Sequence, residues 1–208
     1  MIRLFVGLDL PPDLCDALQR LTGGIPNARW TPPENYHITL RFIGEVDEDQ
    51  CDDIHDALTE VRAPAFPLSV AGLGSFEAGS RAHTLWAGVD KEPALLHLRD
   101  KVERAVVSAG MEPERRKFQP HVTLASVKQA PLHKVQDFIA HHNLFRAPPF
   151  RVERFTLFSS ELGRTGPVYT AEADYPLDLA AAAPASAAPV EAAATAEAAG
   201  PQGRGRGA

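Results

Sequence analysis

The stretch NYHITLRFIG, residues 35–44, has a shorter counterpart later in the chain, QPHVTLAS, residues 119–126. Each stretch contains His-x-Thr-Leu within an apolar run that is typical of a β-strand. Side chains alternate between the two faces of a strand. The histidine and the threonine of each motif therefore share one face, while the aliphatic residues share the other.

Each motif strand thus has an apolar face for a core and a polar face that carries an imidazole and a hydroxyl. The polar pairs are His37 with Thr39 and His121 with Thr123. Burying such groups without hydrogen-bond partners costs about 1–3 kcal/mol each. We therefore predict that the two strands line a polar cleft between two similar lobes.

Two imidazoles and two hydroxyls in one cleft favour a particular reaction class. Histidine titrates near neutral pH, so one ring can accept a proton from water while the other donates a proton to a departing oxygen. Threonine hydroxyls can donate hydrogen bonds to the oxygens of the group under attack. A phosphodiester fits this arrangement, and the scheme needs no metal. The residues alone leave open which histidine is the acid.

The rest of the chain alternates strand and helix patterns. Helical spacing of apolar residues predicts helices over Pro12–Leu21 and 93–109, after Asp47, and around Leu132–Ile139. Strands are predicted between these helices, with a closing hairpin formed by FRVERFTLFSS and GPVYTAEADY. Together these patterns indicate an α/β or α+β protein.

The composition changes near residue 180. Residues 180–208 consist mainly of Ala, Pro and Gly, with no large apolar side chain after Val190. Such a segment cannot bury enough apolar surface to offset the entropy of ordering it. We predict a folded domain over residues 1–179 and a disordered tail over 180–208.

The chain has 208 residues, a formal net charge of −6 and a pI of about 5.7. This balance argues against a broad basic surface for duplex nucleic acid, but it allows a small anion in a local pocket. The two cysteines form no CxxC pair, and no apolar run approaches the ~20 residues that span a bilayer. A cytoplasmic protein without membrane contact is expected.

Cofactor motifs are not found in the sequence. The six histidines outside the motifs show no HExxH or Cys/His ligand spacing, and no Gly-rich phosphate loop with its lysine is present. We therefore expect neither a metal nor another cofactor.

The paired motifs, together with RWTPPENYHITLRFIGEV and FQPHVTLA, resemble the 2H phosphoesterase superfamily. The resemblance covers roughly residues 1–179. It is closest to the bacterial RNA 2′,3′-cyclic phosphodiesterases, also called 2′-5′ RNA ligases. It implies a bilobal α+β fold with two pseudo-symmetric lobes, each with an antiparallel sheet and helices, and an active-site cleft between them. A chain that already contains two such lobes has less need of a partner, so we expect a monomer.

The resemblance also implies an activity. Members hydrolyse the 2′,3′-cyclic phosphate at an RNA end to a 2′-phosphate, and the reverse direction joins RNA ends through a 2′-5′ link. It implies that His37 donates a proton to the leaving oxygen and that His121 accepts one from water. Thr39 and Thr123 would bind phosphate oxygens.

One position departs from the resemblance. Many members continue the second motif as HxTLAR, whereas this chain has Ser126 in place of the arginine. Three further side chains near the motifs are therefore candidates for substrate contact: Arg41 and Lys128 for phosphate, and Phe118 for stacking on a terminal base.

Two alternatives remain open at this stage. The first is a phosphodiesterase of the same superfamily that acts on a small cyclic nucleotide or on 2′,5′-oligoadenylate. The second is a module that binds RNA ends without catalysis, although histidines at both motif positions argue against it.

Overall fold

The structure, a computed structural model, describes residues 1–78, 81–163 and 166–178. The predicted tail over 180–208 lies outside the described residues. The strands and helices are, in chain order, β1 Ile2–Asp9, α1 Pro12–Gln19, β2 Arg29–Trp30, β3 His37–Val46, α2 Glu48–Thr59, β4 Phe66–Leu68, β5 Val70–Ala78, β6 Arg81–Val89, α3 Pro93–Ser108, β7 His121–Ser126, α4 Leu132–His141, β8 Phe150–Val152, β9 Arg154–Leu162 and β10 Pro167–Pro176.

Local signals in the sequence explain where the helices begin and end. Proline stands at the start of α1 and of α3, where its missing N–H costs nothing. Asp47 and Gln50 form a capping box at the start of α2, the helix predicted after Asp47. Gly110 follows α3 with a φ of 91° and allows the chain to leave the helix. No helix of the described residues is long and apolar enough to cross a membrane.

The main sheet is antiparallel, with the strand order β10-β9-β1-β3-β7-β6-β5, and β2 pairs with β7 beside this path. Its two halves, one ending in β3 and the other in β7, meet at a single residue pair, Ile38 opposite Val122. The predicted α+β class with two lobes is confirmed. The two sheets, however, join at this pair into one rather than staying separate.

Two segments whose sequence pattern is that of one continuous strand are each divided in the structure. FPLSVAGLGSF forms β4 and β5, which are separated by Ser69, and FRVERFTLFSS forms β8 and β9, which are separated by Glu153. β4 pairs with β8 in a small sheet of their own, while β5 and β9 join the main sheet. The predicted closing hairpin is β9 with β10.

The helices pack against one face of the main sheet. The aliphatic residues of both motif strands point to this side, and Ile38 and Val122 are completely buried there. α3 contributes an apolar stripe of fully buried side chains, namely Leu95, Leu98, Val102 and Val106. The opposite face of the central strands carries the motif histidines and threonines.

Arg41 lies on the helical side of β3, which corrects the expectation that it faces the cleft. The β1–β3 register pairs Gly7 with Thr39 but Val6 with Arg41, so Leu40 is the extra residue of a β-bulge. Strict alternation from Thr39 would have kept Arg41 on the cleft face. The bulge instead points it the same way as the buried Val6.

The Arg41 guanidinium is fully occupied on that side. Its Nε lies 2.7 Å from a carboxylate oxygen of Glu103 on α3, an ion pair without good hydrogen-bond geometry. Its two terminal nitrogens donate to the backbone carbonyls of Phe42 and Glu112. The side chain is only 7% exposed. Arg41 therefore ties β3 to α3 and to the loop after it.

Arg41→Ala should lower the free energy of unfolding by about 3 kcal/mol, because it leaves the carboxylate of Glu103 and two carbonyls without their main partner. Arg3→Ala is the matched control, since Arg3 pairs with Glu45 at the surface of the same sheet. The control should lower the free energy of unfolding by less than about 1 kcal/mol. Denaturant unfolding measures both values. Equal losses in the two variants would contradict the buried position of Arg41.

Candidate active site

The two motifs lie side by side on the face of the sheet that the helices leave uncovered. Because Ile38 lies directly opposite Val122, the antiparallel register brings the histidine of each motif beside the threonine of the other. All four polar side chains are partly exposed, whereas the aliphatic residues between them are buried. The structure thus brings the four predicted residues to one surface.

His37 is fixed by a hydrogen bond to the short turn that precedes its strand. Its Nδ1 lies 2.8 Å from the backbone carbonyl oxygen of Asn35. A carbonyl oxygen only accepts, so Nδ1 carries the proton of the neutral ring. Nε2 lies 3.0 Å from Oγ1 of Thr39, whose hydroxyl donates to it when the ring is neutral. The free nitrogen therefore points into the cleft beside a hydroxyl.

His121 repeats this arrangement in the other half. Its Nδ1 lies 2.7 Å from the backbone carbonyl oxygen of Gln119, which is again two residues before the histidine. The same tautomer follows, with Nε2 left to accept a proton. Two imidazoles thus present equivalent nitrogens to a common space.

Aromatic side chains enclose both imidazoles. The His37 ring lies 4.8 Å from Phe5 and 5.1 Å from Tyr169, the latter edge-on. The His121 ring lies 4.9 Å from Phe76, also edge-on, and 6.4 Å from Trp86. These contacts hold the rings in place and remove water from one side of each.

Sequence reasoning missed these aromatic residues, because they come from β1, β5, β6 and β10 rather than from the motif strands. One signal was available in the sequence. Gly74 lies opposite Trp86 in the β5–β6 pairing, and the indole fills the space where any Cβ would lie. A glycine at the centre of a strand is typical of such a close approach.

Burial lowers the pKa of both histidines below the ordinary value. Desolvation disfavours the charged ring and is the largest effect on His37 and on His121. Each Nδ1 hydrogen bond to a carbonyl acts in the opposite direction. The charge of His121 further lowers the pKa of His37, so the two rings interact electrostatically.

Asp9 distinguishes the two histidines. It lies opposite His37 in the β1–β3 pairing, and its negative charge raises the pKa of that ring. The carboxylate also accepts a hydrogen bond from Thr156 Oγ1 at 3.2 Å and lies 3.6 Å from Arg154. Among the described residues, no carboxylate has a corresponding effect on the pKa of His121.

Of the other two predicted substrate contacts, Phe118 has a different position from that expected, and Lys128 is not tested. Phe118 packs against the core, and the Arg99 guanidinium of α3 lies 5.6 Å from its ring centroid, so it faces the helical side. Lys128 lies in an exposed turn two residues after β7, and its contact with phosphate stays a prediction. Ser126 ends β7 opposite Thr84.

In the part of the chain that the structure describes, no three His, Cys, Asp or Glu side chains are grouped so that they could hold a metal ion.

Comparison with known families agrees with the geometry. The family model of the 2′-5′ RNA ligase superfamily matches residues 10–164, which include both motifs. The chain belongs to this superfamily. It is 37% identical to an RNA 2′,3′-cyclic phosphodiesterase of Aeropyrum pernix, over 70% of this chain and 84% of that protein. A protein of the same name from Thermotoga maritima is 32% identical, over 81% of this chain and 91% of its own length.

Two solved structures share the fold of this chain. The structure of TT0787 of Thermus thermophilus aligns with a TM-score of 0.68 at 25% identity, over 84% of this chain and 97% of that one. E. coli LigT in its apo form aligns with a TM-score of 0.66 at 25% identity, over 85% of this chain and 97% of that one. The bilobal 2H phosphoesterase architecture therefore extends over nearly all the described residues.

NMR titration of the imidazole resonances should give pKa values below about 6.5 for both His37 and His121 in the free protein, because burial penalises the charged rings. Inorganic phosphate should raise both values, since an anion between the rings favours their charged forms. Values at or above 6.5 without phosphate would contradict the burial described for the two rings.

Asp9→Asn should lower the pKa of His37 further and leave that of His121 unchanged, because it removes a negative charge from one ring only. Asp174→Asn is the matched control, since Asp174 accepts a hydrogen bond from the same Thr156 hydroxyl. The same titration measures all three proteins. Equal shifts in the two variants would show that Asp9 acts through Thr156 and not directly.

Proposed function

We propose that this protein hydrolyses the 2′,3′-cyclic phosphate at RNA ends to a 2′-phosphate, and that it can run the reverse joining reaction. The observation that carries the proposal is the pair of imidazoles with equivalent free nitrogens on one face, each accompanied by a threonine hydroxyl. The names of its relatives support RNA ends as the substrate.

In the proposed reaction, the terminal cyclic phosphate lies between the two histidines. Nε2 of His121 accepts a proton from water, and the water oxygen forms a bond to phosphorus. The bond between phosphorus and the 3′ oxygen breaks, and His37 donates its Nε2 proton to that oxygen. The products are a 3′ hydroxyl and a 2′-phosphate. Exchange with solvent then restores both rings.

Thr39 and Thr123 would donate hydrogen bonds to the two non-bridging oxygens, where negative charge increases in the transition state. For Thr39 this requires a change of partner. In the free protein its hydroxyl donates to His37, whereas a protonated His37 no longer accepts from it. The proton that makes His37 an acid thus also releases the Thr39 hydroxyl for phosphate.

The assignment of His37 as the acid comes from the resemblance to the superfamily, and Asp9 acts in the same direction, against the larger lowering of the His37 pKa by burial. The acid must hold a proton at the start of the reaction, and a nearby carboxylate favours the protonated ring. His121, without a corresponding carboxylate effect, suits the base. The cytoplasmic location, the monomeric state and the absence of a cofactor stay predictions.

His37→Ala and His121→Ala should each reduce kcat by about 10²–10⁴-fold, since each removes one positioned proton transfer. The assay follows conversion of a cyclic-phosphate-ended oligonucleotide to its 2′-phosphate in the presence of EDTA. His133→Ala, at an exposed position of α4, is the matched control and should keep full activity.

The outcomes of this assay separate the alternatives. Binding without turnover by the unaltered protein would support a binding module. Turnover of small cyclic nucleotides or 2′,5′-oligoadenylate alone would support the other enzyme class. Turnover that needs an added divalent ion, or that survives both substitutions, would contradict the two-histidine mechanism.

The pH dependence of kcat/KM should be bell-shaped with its maximum below about pH 6.5, because both free-protein pKa values lie below the ordinary one. Activity falls at lower pH as His121 becomes protonated, and at higher pH as His37 loses its proton. Asp9→Asn should move the alkaline limb to lower pH. A profile that is flat between pH 5 and 8 would contradict the paired roles.

A further inference from the structure

The pairing of β2 with β7 determines the face on which Arg29 lies. Trp30 lies opposite the buried Ala125, and its ring is 5.7 Å from that of Phe138 on α4. Trp30 therefore points to the helical side. Side chains alternate along a strand, so Arg29 points to the other face, which is the face of the cleft.

Arg29 continues a row of side chains that begins beside His121. Directly opposite pairs lead from Phe76 on β5 to Thr84 on β6, then to Ser126 on β7 and to Arg29 on β2. Phe76 is the residue that contacts the His121 ring edge-on. A β-bulge at Leu124 keeps Ser126 on the same face as Thr123. The row therefore crosses the cleft floor just beyond the second motif.

The guanidinium of Arg29 is available to a ligand. The residue is exposed, and it makes no ion pair or side-chain hydrogen bond with the described residues. Arg41 and Arg99, by contrast, are both engaged with Glu103 on the helical side. Arg29 is thus a cation on the cleft face of a chain whose net charge is −6.

The distance suits a second phosphate. Because of the bulge at Leu124, Thr123 and Ser126 lie opposite Trp86 and Thr84, which are two residues apart on β6, or about 7 Å along a strand at 3.3 Å per residue. The flexible Arg29 side chain starts beside Ser126 and can extend over part of that distance. A single nucleotide bound at the centre of the cleft would leave Arg29 without an anionic partner, whereas an RNA chain would bring another phosphate to it.

We propose that Arg29 binds the phosphodiester that joins the terminal nucleotide of the RNA to its 5′ neighbour. The proposal rests on the proposed function and makes it more specific. Arg29 selects RNA chains over cyclic mononucleotides, because only a chain has this second phosphate. The guanidinium can form two parallel hydrogen bonds to it.

Two substrates, one with and one without a second phosphate, test whether Arg29 binds that phosphate. 2′,3′-cyclic AMP carries the reacting phosphate only, and a tetraadenylate with a 2′,3′-cyclic phosphate end carries three further phosphodiesters. Arg29→Ala should raise KM for the tetranucleotide about tenfold or more, the value of a charge-assisted hydrogen bond, with kcat nearly unchanged. KM and kcat for the mononucleotide should stay as they are.

A control and a rescue variant complete the test. Arg20→Ala removes an exposed arginine near α4 on the helical side. It should leave KM and kcat unchanged for both substrates. The double variant Arg29→Ala, Ser126→Arg places a guanidinium on the neighbouring strand at the directly opposite position. In this double variant, KM for the tetranucleotide should return most of the way to the value of the unaltered protein. A purely structural role of Arg29 would not be rescued in this way.

Salt provides an independent readout. The slope of log KM against log salt for the tetranucleotide should fall by about 0.7 in Arg29→Ala, the value for one lost phosphate contact on a single strand. Equal KM changes for both substrates, no change for either, or failure of the rescue would overturn the proposal.

The same proteins separate failure of this inference from failure of the proposed function. Absence of turnover by the unaltered protein on both substrates would refute the function. In that case calorimetry tests the role of Arg29. It measures the affinity of the unaltered protein and of Arg29→Ala for a tetraadenylate that ends in a 2′-phosphate and for 2′-AMP. A loss of affinity for the tetranucleotide alone in Arg29→Ala supports the role of Arg29, and any other pattern refutes it.

Discussion

The site depends on one contact between two strands, the pairing of Ile38 with Val122. The two residues come from different halves of the chain and are both completely buried. Burying a large aliphatic side chain contributes about 1.5–3 kcal/mol, so the contact is well supported from the helical side. Its consequence appears on the other side of the sheet. A shift of this register by one residue would turn one motif's histidine and threonine into the core.

The scaffold is nearly symmetric, but its electrostatics are not. The chain reads Gly7-Leu8-Asp9 at the end of β1 and Gly88-Val89-Asp90 at the end of β6 and just after it, and each segment precedes a helix that begins with proline. The two aspartates have different partners. Asp9 lies beside His37 and partly offsets the lowering of its pKa by burial, whereas Asp90 lies 3.8 Å from Arg146. The negative charge of Asp9 thus acts on the pKa of only one of the two similar imidazoles.

The sequence was sufficient to predict the elements that depend on local signals. The start of α1 at Pro12, the start of α2 after Asp47 and the two His-x-Thr-Leu strands are found where they were predicted. Alternation within those two strands also predicted which side chains share a face. These features depend on neighbours within a few residues, and such neighbours are visible in one sequence.

The features that could not be predicted depend on distant strands. Whether Arg41 faces the cleft is decided by a bulge opposite β1, and Phe118 is held by Arg99 of α3. The aromatic walls come from four strands spread over most of the chain. The position of Arg29 follows from the pairing of a two-residue strand with β7, a contact between segments almost 100 residues apart.

The central claim is that both imidazoles contact one phosphoryl group. A crystal structure of the protein with a 2′-phosphate-ended oligonucleotide tests it most directly. We predict that Nε2 of His37 and Nε2 of His121 both lie within about 3.2 Å of oxygens on the same phosphorus atom. A terminal phosphate that contacts only one of the two rings, or that binds away from both, would contradict the claim.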